Sequence, residues 1–253
     1  MQTPVYNRVP EVTAEFWLIK LMAVTMGETA ADYLAVNLGF GLTATSLIMA
    51  AVLTAALFLQ FGQKRYVPWS YWLAVVLVSI VGTLVTDNLV DNFHVSLIST
   101  TVGFSLALAA TFAIWYASEK TLSIHEIFTT KREAFYWLAI LLTFALGTAA
   151  GDMVAEKFGL GYLSTGVLFG MIITSLAFGY FFLKLDPILG FWLAYILTRP
   201  LGASFGDLLS QPAKFGGMGL GTIITSALFL GTIISIVVWI SITRRGEEAL
   251  MAH

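Results

Sequence analysis

The chain contains no cysteine, which excludes disulfides, thiolate metal sites and thiol catalysis. Charge is scarce too: Asp, Glu, Lys and Arg make up 11% of the 253 residues, where a soluble domain carries about 25%. The net charge of −2 offers nothing to nucleic acid. Histidine is rare and poorly placed: His94 lies near Asp91 in a loop, His125 lies between helices and His253 is terminal, so none argues for a metal site. There is no nucleotide-binding loop, metalloprotease helix or hydrolase elbow. The apolar stretches hold no nucleophile beside a base and the loops are short, so an enzyme is not expected, and no cofactor is implied. The first dozen residues are polar and the apolar segment after them is long enough to span, so no cleavable signal is expected.

What the chain has instead is apolar surface, 58% of its residues. Runs of about 20 apolar residues mark eight candidate spans at roughly 16–38, 42–61, 69–90, 95–116, 134–158, 163–182, 188–209 and 220–242. The expected fold is an all-α polytopic membrane protein. Arg8, Lys64, Arg65, Lys120, Lys131, Arg132, Lys184, Arg244 and Arg245 fall on the N-terminal side of these spans, against Lys157 and Lys214 on the other. By the positive-inside rule both termini are expected in the cytoplasm, and the tryptophans, all near that side, are expected as interfacial anchors.

Four times a tryptophan is followed ten residues later by glycine and fifteen later by aspartate: Trp17/Gly27/Asp32, Trp72/Gly82/Asp87, Trp137/Gly147/Asp152 and Trp192/Gly202/Asp207. The aspartates are spaced 55, 65 and 55 residues apart, so a shift of 120 superimposes the halves. Each repeat is a two-span hairpin, so all four enter the membrane from one side and are related by an axis along its normal. The expected organisation is a cytoplasmic start (1–15), a transmembrane half (16–116), a connector (117–133), a second half (134–242) and a cytoplasmic end (243–253).

Each motif glycine is followed after four residues by Ala31, Thr86, Gly151 or Gly206, a stripe that lets backbones approach, so the motif helices are expected at the packed centre. Counting from the tryptophan, the glycine lies about 15 Å along the helix and the aspartate about 22 Å, in the outer half of the bilayer. One turn before the aspartates stand Glu28, Thr83, Thr148 and Ala203. Together these residues describe an oxygen-rich ring. A carboxylate in hydrocarbon costs roughly 2.5–3.5 kcal/mol on insertion scales, so four in register call for an explanation. Arg199 sits one turn before Ala203, where Glu28 is its expected partner, as a structural salt bridge or a gating pair; Lys20 is expected to snorkel to the cytoplasmic surface. Even with both bases paired, three carboxylates remain to be protonated, hydrated or bound to a cation, since like charges in one site cannot all ionise.

Met26 and Met153 border the motif and read as filler rather than thioether ligands. Pro200 is placed to kink the seventh helix, and Gly39-Phe40-Gly41, Gly159-Leu160-Gly161 and Gly216-Gly217-Met218-Gly219 read as tight outer turns.

The repeat, an aromatic–Trp pair running into Leu146-Gly147-Thr148-Ala149-Ala150-Gly151-Asp152, with variants at Gly27–Asp32 and Thr198–Asp207, resembles a family of bacterial integral membrane proteins built from a short repeat of unknown function, sometimes labelled predicted membrane-anchored proteins. The second repeat departs most, with Thr86 before Asp87. The resemblance implies an inner-membrane protein and no particular reaction.

Two functions follow as expectations. The first is transport of a small cation through the ring of Asp32, Asp87, Asp152 and Asp207, aided by Glu28, Thr83 and Thr148, with Arg199 balancing charge or gating. Because only carboxylate and hydroxyl oxygens are available, the cargo is a hard divalent ion such as manganese or magnesium, with the four aspartates as its ligands, or protons. Displacement of the ring toward the outer face points to export. The second is a binding or scaffold protein of the bilayer whose polar ring only fixes helix packing. A path within one chain and a path needing a homo-oligomer are both compatible with parallel repeats.

Overall fold

The computed structural model describes the backbone of residues 6–251 and the side chains of residues 6–243; Arg244, Arg245 and His253 lie outside the described side chains. Eight α-helices follow one another: α1 (Ala14–Asp32), α2 (Leu42–Phe61), α3 (Pro68–Asp87), α4 (Leu97–Glu119), α5 (Thr130–Asp152), α6 (Gly161–Phe182), α7 (Pro187–Ser210) and α8 (Thr222–Met251). Among the described residues there is no strand. Their starts follow ordinary capping chemistry. Thr13, Ser96, Thr129 and Asp186 each accept a hydrogen bond from a backbone N–H three residues on, and Pro68 and Pro187 occupy the first turn, where an N–H is not needed.

Seven helices, all but α1, are long and apolar enough to cross a membrane. α1 carries Glu15, Lys20, Glu28 and Asp32 spread along its length, yet it packs as the counterpart of α3, α5 and α7. The protein is a multi-pass membrane protein with two kinds of helix. Only 17% of the spans in α2, α4, α6 and α8 is buried, against 67%, 61% and 50% for α3, α5 and α7. The motif helices are therefore the centre and the second helix of each repeat is the lipid-facing rim.

The central helices close a ring in which α1 packs on α3, α3 on α5, α5 on α7 and α7 on α1. The rim is offset by one repeat. α2 packs on α3, α4 on α5 and α6 on α7, while α8 closes the cycle on α1; α2 meets its own repeat chiefly at the turn that ends α1. Each hairpin thus clasps the first helix of the following repeat, and the last clasps the first. At that closure the Thr29 and Ser226 hydroxyls share a hydrogen bond of 2.6 Å.

Glycine makes the ring possible. A Cβ on Gly27 would overlap the Ser79 side chain, one on Gly82 that of Phe144, one on Gly147 that of Arg199, and one on Gly202 that of Val24. Val24, Ser79, Phe144 and Arg199 are themselves equivalent positions, three residues before each glycine. One lock is therefore repeated around the cycle, each glycine receiving a side chain of the next helix.

A second closed cycle lies near the helix starts. Phe16 meets Trp72, Tyr71 meets Trp137, Tyr136 meets Trp192 and Phe191 meets Trp17, with ring centroids 5.6, 5.5, 6.2 and 5.8 Å apart. Trp72, Trp115, Trp137 and Trp192 are buried in this cluster, which corrects the expectation of interfacial anchors; Trp69 and Trp239 remain exposed. These rings spend their apolar faces on one another within the protein, in contacts tilted by 45–56°.

Candidate functional site

Equivalent residues spaced four apart stack down the centre in layers. From the helix starts the first layer is Phe16, Tyr71, Tyr136 and Phe191, and the Tyr71 and Tyr136 hydroxyls share a 2.6 Å hydrogen bond. The next is Lys20, Val75, Ile140 and Tyr195, all buried. Then come the locking residues Val24, Ser79, Phe144 and Arg199, followed by Glu28, Thr83, Thr148 and Ala203, and last the four aspartates. The first four layers are buried throughout, so packed side chains close the centre from the helix starts to mid-membrane.

At its middle stands Arg199, 1% exposed. Its Nη2 donates to Glu28 Oε2 at 2.7 Å, to Thr148 Oγ1 at 2.7 Å and to Thr83 Oγ1, and Thr83 also donates to Glu28 at 3.2 Å. One nitrogen of α7 therefore ties α1, α3 and α5 together, and the expected Arg199–Glu28 pair is present. The cost of such a pair is set by what remains bare: Arg199 Nε and Nη1 and the Ser79 hydroxyl are buried with no partner. Pro200 does not break α7; its ring packs against Gly147 and Gly151, and its carbonyl accepts from Ser204 at 2.8 Å.

Lys20 does not snorkel. Its side chain is fully buried, Nζ donates to the Tyr195 carbonyl at 2.5 Å and lies 4.1 Å from the Tyr195 ring centroid, and among the described residues it forms no ion pair. The side chain faces α7, toward the centre, so the nearest water-side surface is sealed off by the aromatic layer.

The aspartates occupy the same level at the ends of their α-helices, Asp207 buried and Asp32, Asp87 and Asp152 half-buried. Each lies within electrostatic range of Glu28 and of other ring members. Asp32 Oδ2 accepts from Gln211 at 3.3 Å. Asp87, Asp152 and Asp207 have no hydrogen-bond or ion-pair partner among the described residues. No three His, Asp or Glu side chains among the described residues converge closely enough to hold one metal ion. The four carboxylates thus stand at one level as separate groups rather than as one ligand shell.

One feature at the ring had no sequence signal. After Asp32, Asp87 and Asp152 the chain passes into a single π turn, Tyr33–Asn37, Asn88–Asn92 and Met153–Lys157, before leaving the helix. The carboxylate stands at the junction, where the helical ladder changes register; such turns concentrate at functional sites. After the first and third turns, Gly39 and Gly41, and Gly159 and Gly161, adopt left-handed backbone, which makes these connections tight turns. The fourth repeat has no π turn; Asp207 lies within α7 and is followed by Gln211 and a loop. His94 is exposed, and Met26 is buried as core.

A further polar cluster, on the terminal face, was not evident in the sequence. Glu133 is fully buried and accepts from Arg8 at 2.7 Å and Gln60 at 3.1 Å, while Ser70 donates to Gln60 at 2.8 Å. Asn7 brackets Ile124–Ile127 through its side chain, so the N-terminal segment is strapped to the connector.

Fold and site define a class: a multi-pass helical membrane protein made of four cyclically clasped repeats around a packed centre that holds a buried Arg199–Glu28 pair. The chain belongs to the family described as Repeat of Unknown Function (DUF347), whose model matches it four times, at residues 16–66, 70–121, 135–185 and 190–246. No curated protein and no solved structure matches the chain.

Proposed function

We propose that the protein moves a small inorganic cation across the cytoplasmic membrane, with both termini inside, and that Asp32, Asp87, Asp152 and Asp207 form its loading station at the outer mouth. The observation that carries this reading is that three of these four carboxylates, at the same level on central helices, have no protein partner. An aspartate kept only to hold helices together hydrogen-bonds to a neighbour; one left bare needs protons, water or cations. Because the carboxylates stand apart, the cargo is held with part of its hydration shell, which suits manganese or magnesium. Glu28 is the next carboxylate inward and Arg199 the resident charge that keeps the centre closed. The basic residues on the terminal face support the orientation.

The test is ion-dependent thermal stabilisation of the purified protein with manganese, magnesium, calcium and zinc, compared with Asp152→Asn and Asp207→Asn. Stabilisation of the wild type that weakens at least several-fold in both variants is expected. Equal responses in all three proteins would favour a scaffold whose polar ring is structural.

A further inference from the structure

The oxygens around Arg199 Nη2 come from three different helices: Glu28 Oε2 on α1, Thr83 Oγ1 on α3 and Thr148 Oγ1 on α5. They converge on one atom at the meeting point of the four central helices, one turn inward from the aspartates. A guanidinium normally engages its partners through a planar fork, several nitrogens at once. Here a single nitrogen takes every bond, and Nε and Nη1 are left bare in a dry interior. The oxygens are arranged for a point charge, and the arginine fits them with one of its three nitrogens.

We propose that Glu28, Thr83 and Thr148 form an inner cation site distinct from the aspartate ring, and that Arg199 occupies it as a tethered surrogate cation. A carboxylate and two hydroxyl oxygens are hard ligands, and with water completing the shell they suit magnesium or manganese. Gly147 is what admits the tether: the Arg199 Cβ and Cγ pass where any side chain at that position would stand. The arginine and a cation exclude each other, because both need the same three oxygens and the same single negative charge. The closed centre is then the self-occupied state, and a cation arriving from the ring opens it by taking the arginine's place. The mutual exclusion deepens the transport reading and rests on it; the existence of the inner site does not.

Removing the tether should expose the site. Arg199→Met keeps the bulk and deletes the charge, so the purified variant is expected to gain magnesium- or manganese-dependent stabilisation at concentrations at least roughly tenfold below those needed by the wild type. The gain should disappear in Glu28→Gln/Arg199→Met and persist in Asp152→Asn/Arg199→Met. Where Arg199→Met does not insert, Arg199→Gln serves the same comparison. A variant that responds no better than the wild type overturns the inner site. A gain that is lost with Asp152 and kept without Glu28 also overturns it, while leaving the ring as a cation station.

Discussion

Replacing Glu28 with glutamine removes the only carboxylate bonded to Arg199 and leaves the shape of the site almost unchanged. The guanidinium then stays buried, 1% exposed, with two threonine hydroxyls and an amide oxygen for company. Breaking a buried pair by deleting one partner costs roughly 3–5 kcal/mol. The retained amide oxygen and the hydroxyls place Glu28→Gln near the lower end, at about 3 kcal/mol. Arg199→Met leaves Glu28 as the orphan and, with divalent ions chelated, should cost a similar amount. The double variant has no buried charge at this level and is expected within about 1 kcal/mol of the wild type, since a pair replaced by uncharged groups is often neutral. The cycle therefore yields a coupling of several kcal/mol, readable by unfolding the detergent-solubilised protein in chelator and following tryptophan fluorescence. Additive losses, with the double variant about as unstable as the two single effects summed, would refute the claim that these groups stabilise each other across the centre.

Two further outcomes follow from packing. Gly27→Val forces a side chain into Ser79 on α3 and is expected to cost roughly 1–3 kcal/mol, whereas Gly103→Ala, whose Cβ meets nothing within 4 Å, is expected to be neutral or stabilising by at most about 1 kcal/mol in the same unfolding assay; equal losses would contradict the lock. Lys20→Met deletes a buried charge that has no carboxylate partner, so the variant is expected to be at least as stable as the wild type. A loss above about 3 kcal/mol would show that the Tyr195 contacts outweigh the burial of that charge.

Most of the architecture could be read from spacing alone. Eight helices, four parallel repeats and a glycine-lined centre follow from Trp, Gly and Asp recurring at fixed intervals, because only residues facing other helices need such register. The Arg199–Glu28 contact could be read too, since two opposite charges at one depth have few alternatives in hydrocarbon. What could not be read is which helix each rim helix clasps. Lipid and protein core are both apolar, so hydropathy does not declare which side of α2, α4, α6 or α8 faces protein, and the offset by one repeat leaves no mark in it. Lys20 misled for a related reason: its position near a helix start fits snorkelling, and only the aromatic cycle around it shows that the way to water is sealed. The π turns after the aspartates depend on backbone hydrogen bonding that no residue type announces. The Arg8–Glu133–Gln60 cluster joins segments too far apart in sequence for any local pattern to link them.

The most direct test of the central claim is cation flux through the reconstituted protein. Manganese and magnesium movement into sealed proteoliposomes under an imposed gradient should be well above that of empty vesicles for the wild type, and reduced at least roughly tenfold, or about 1.4 kcal/mol of barrier, in Asp152→Asn and Asp207→Asn with folding and insertion intact. Flux unchanged in both variants, or none in the wild type under any gradient, would contradict the account and leave the aspartates as parts of the scaffold.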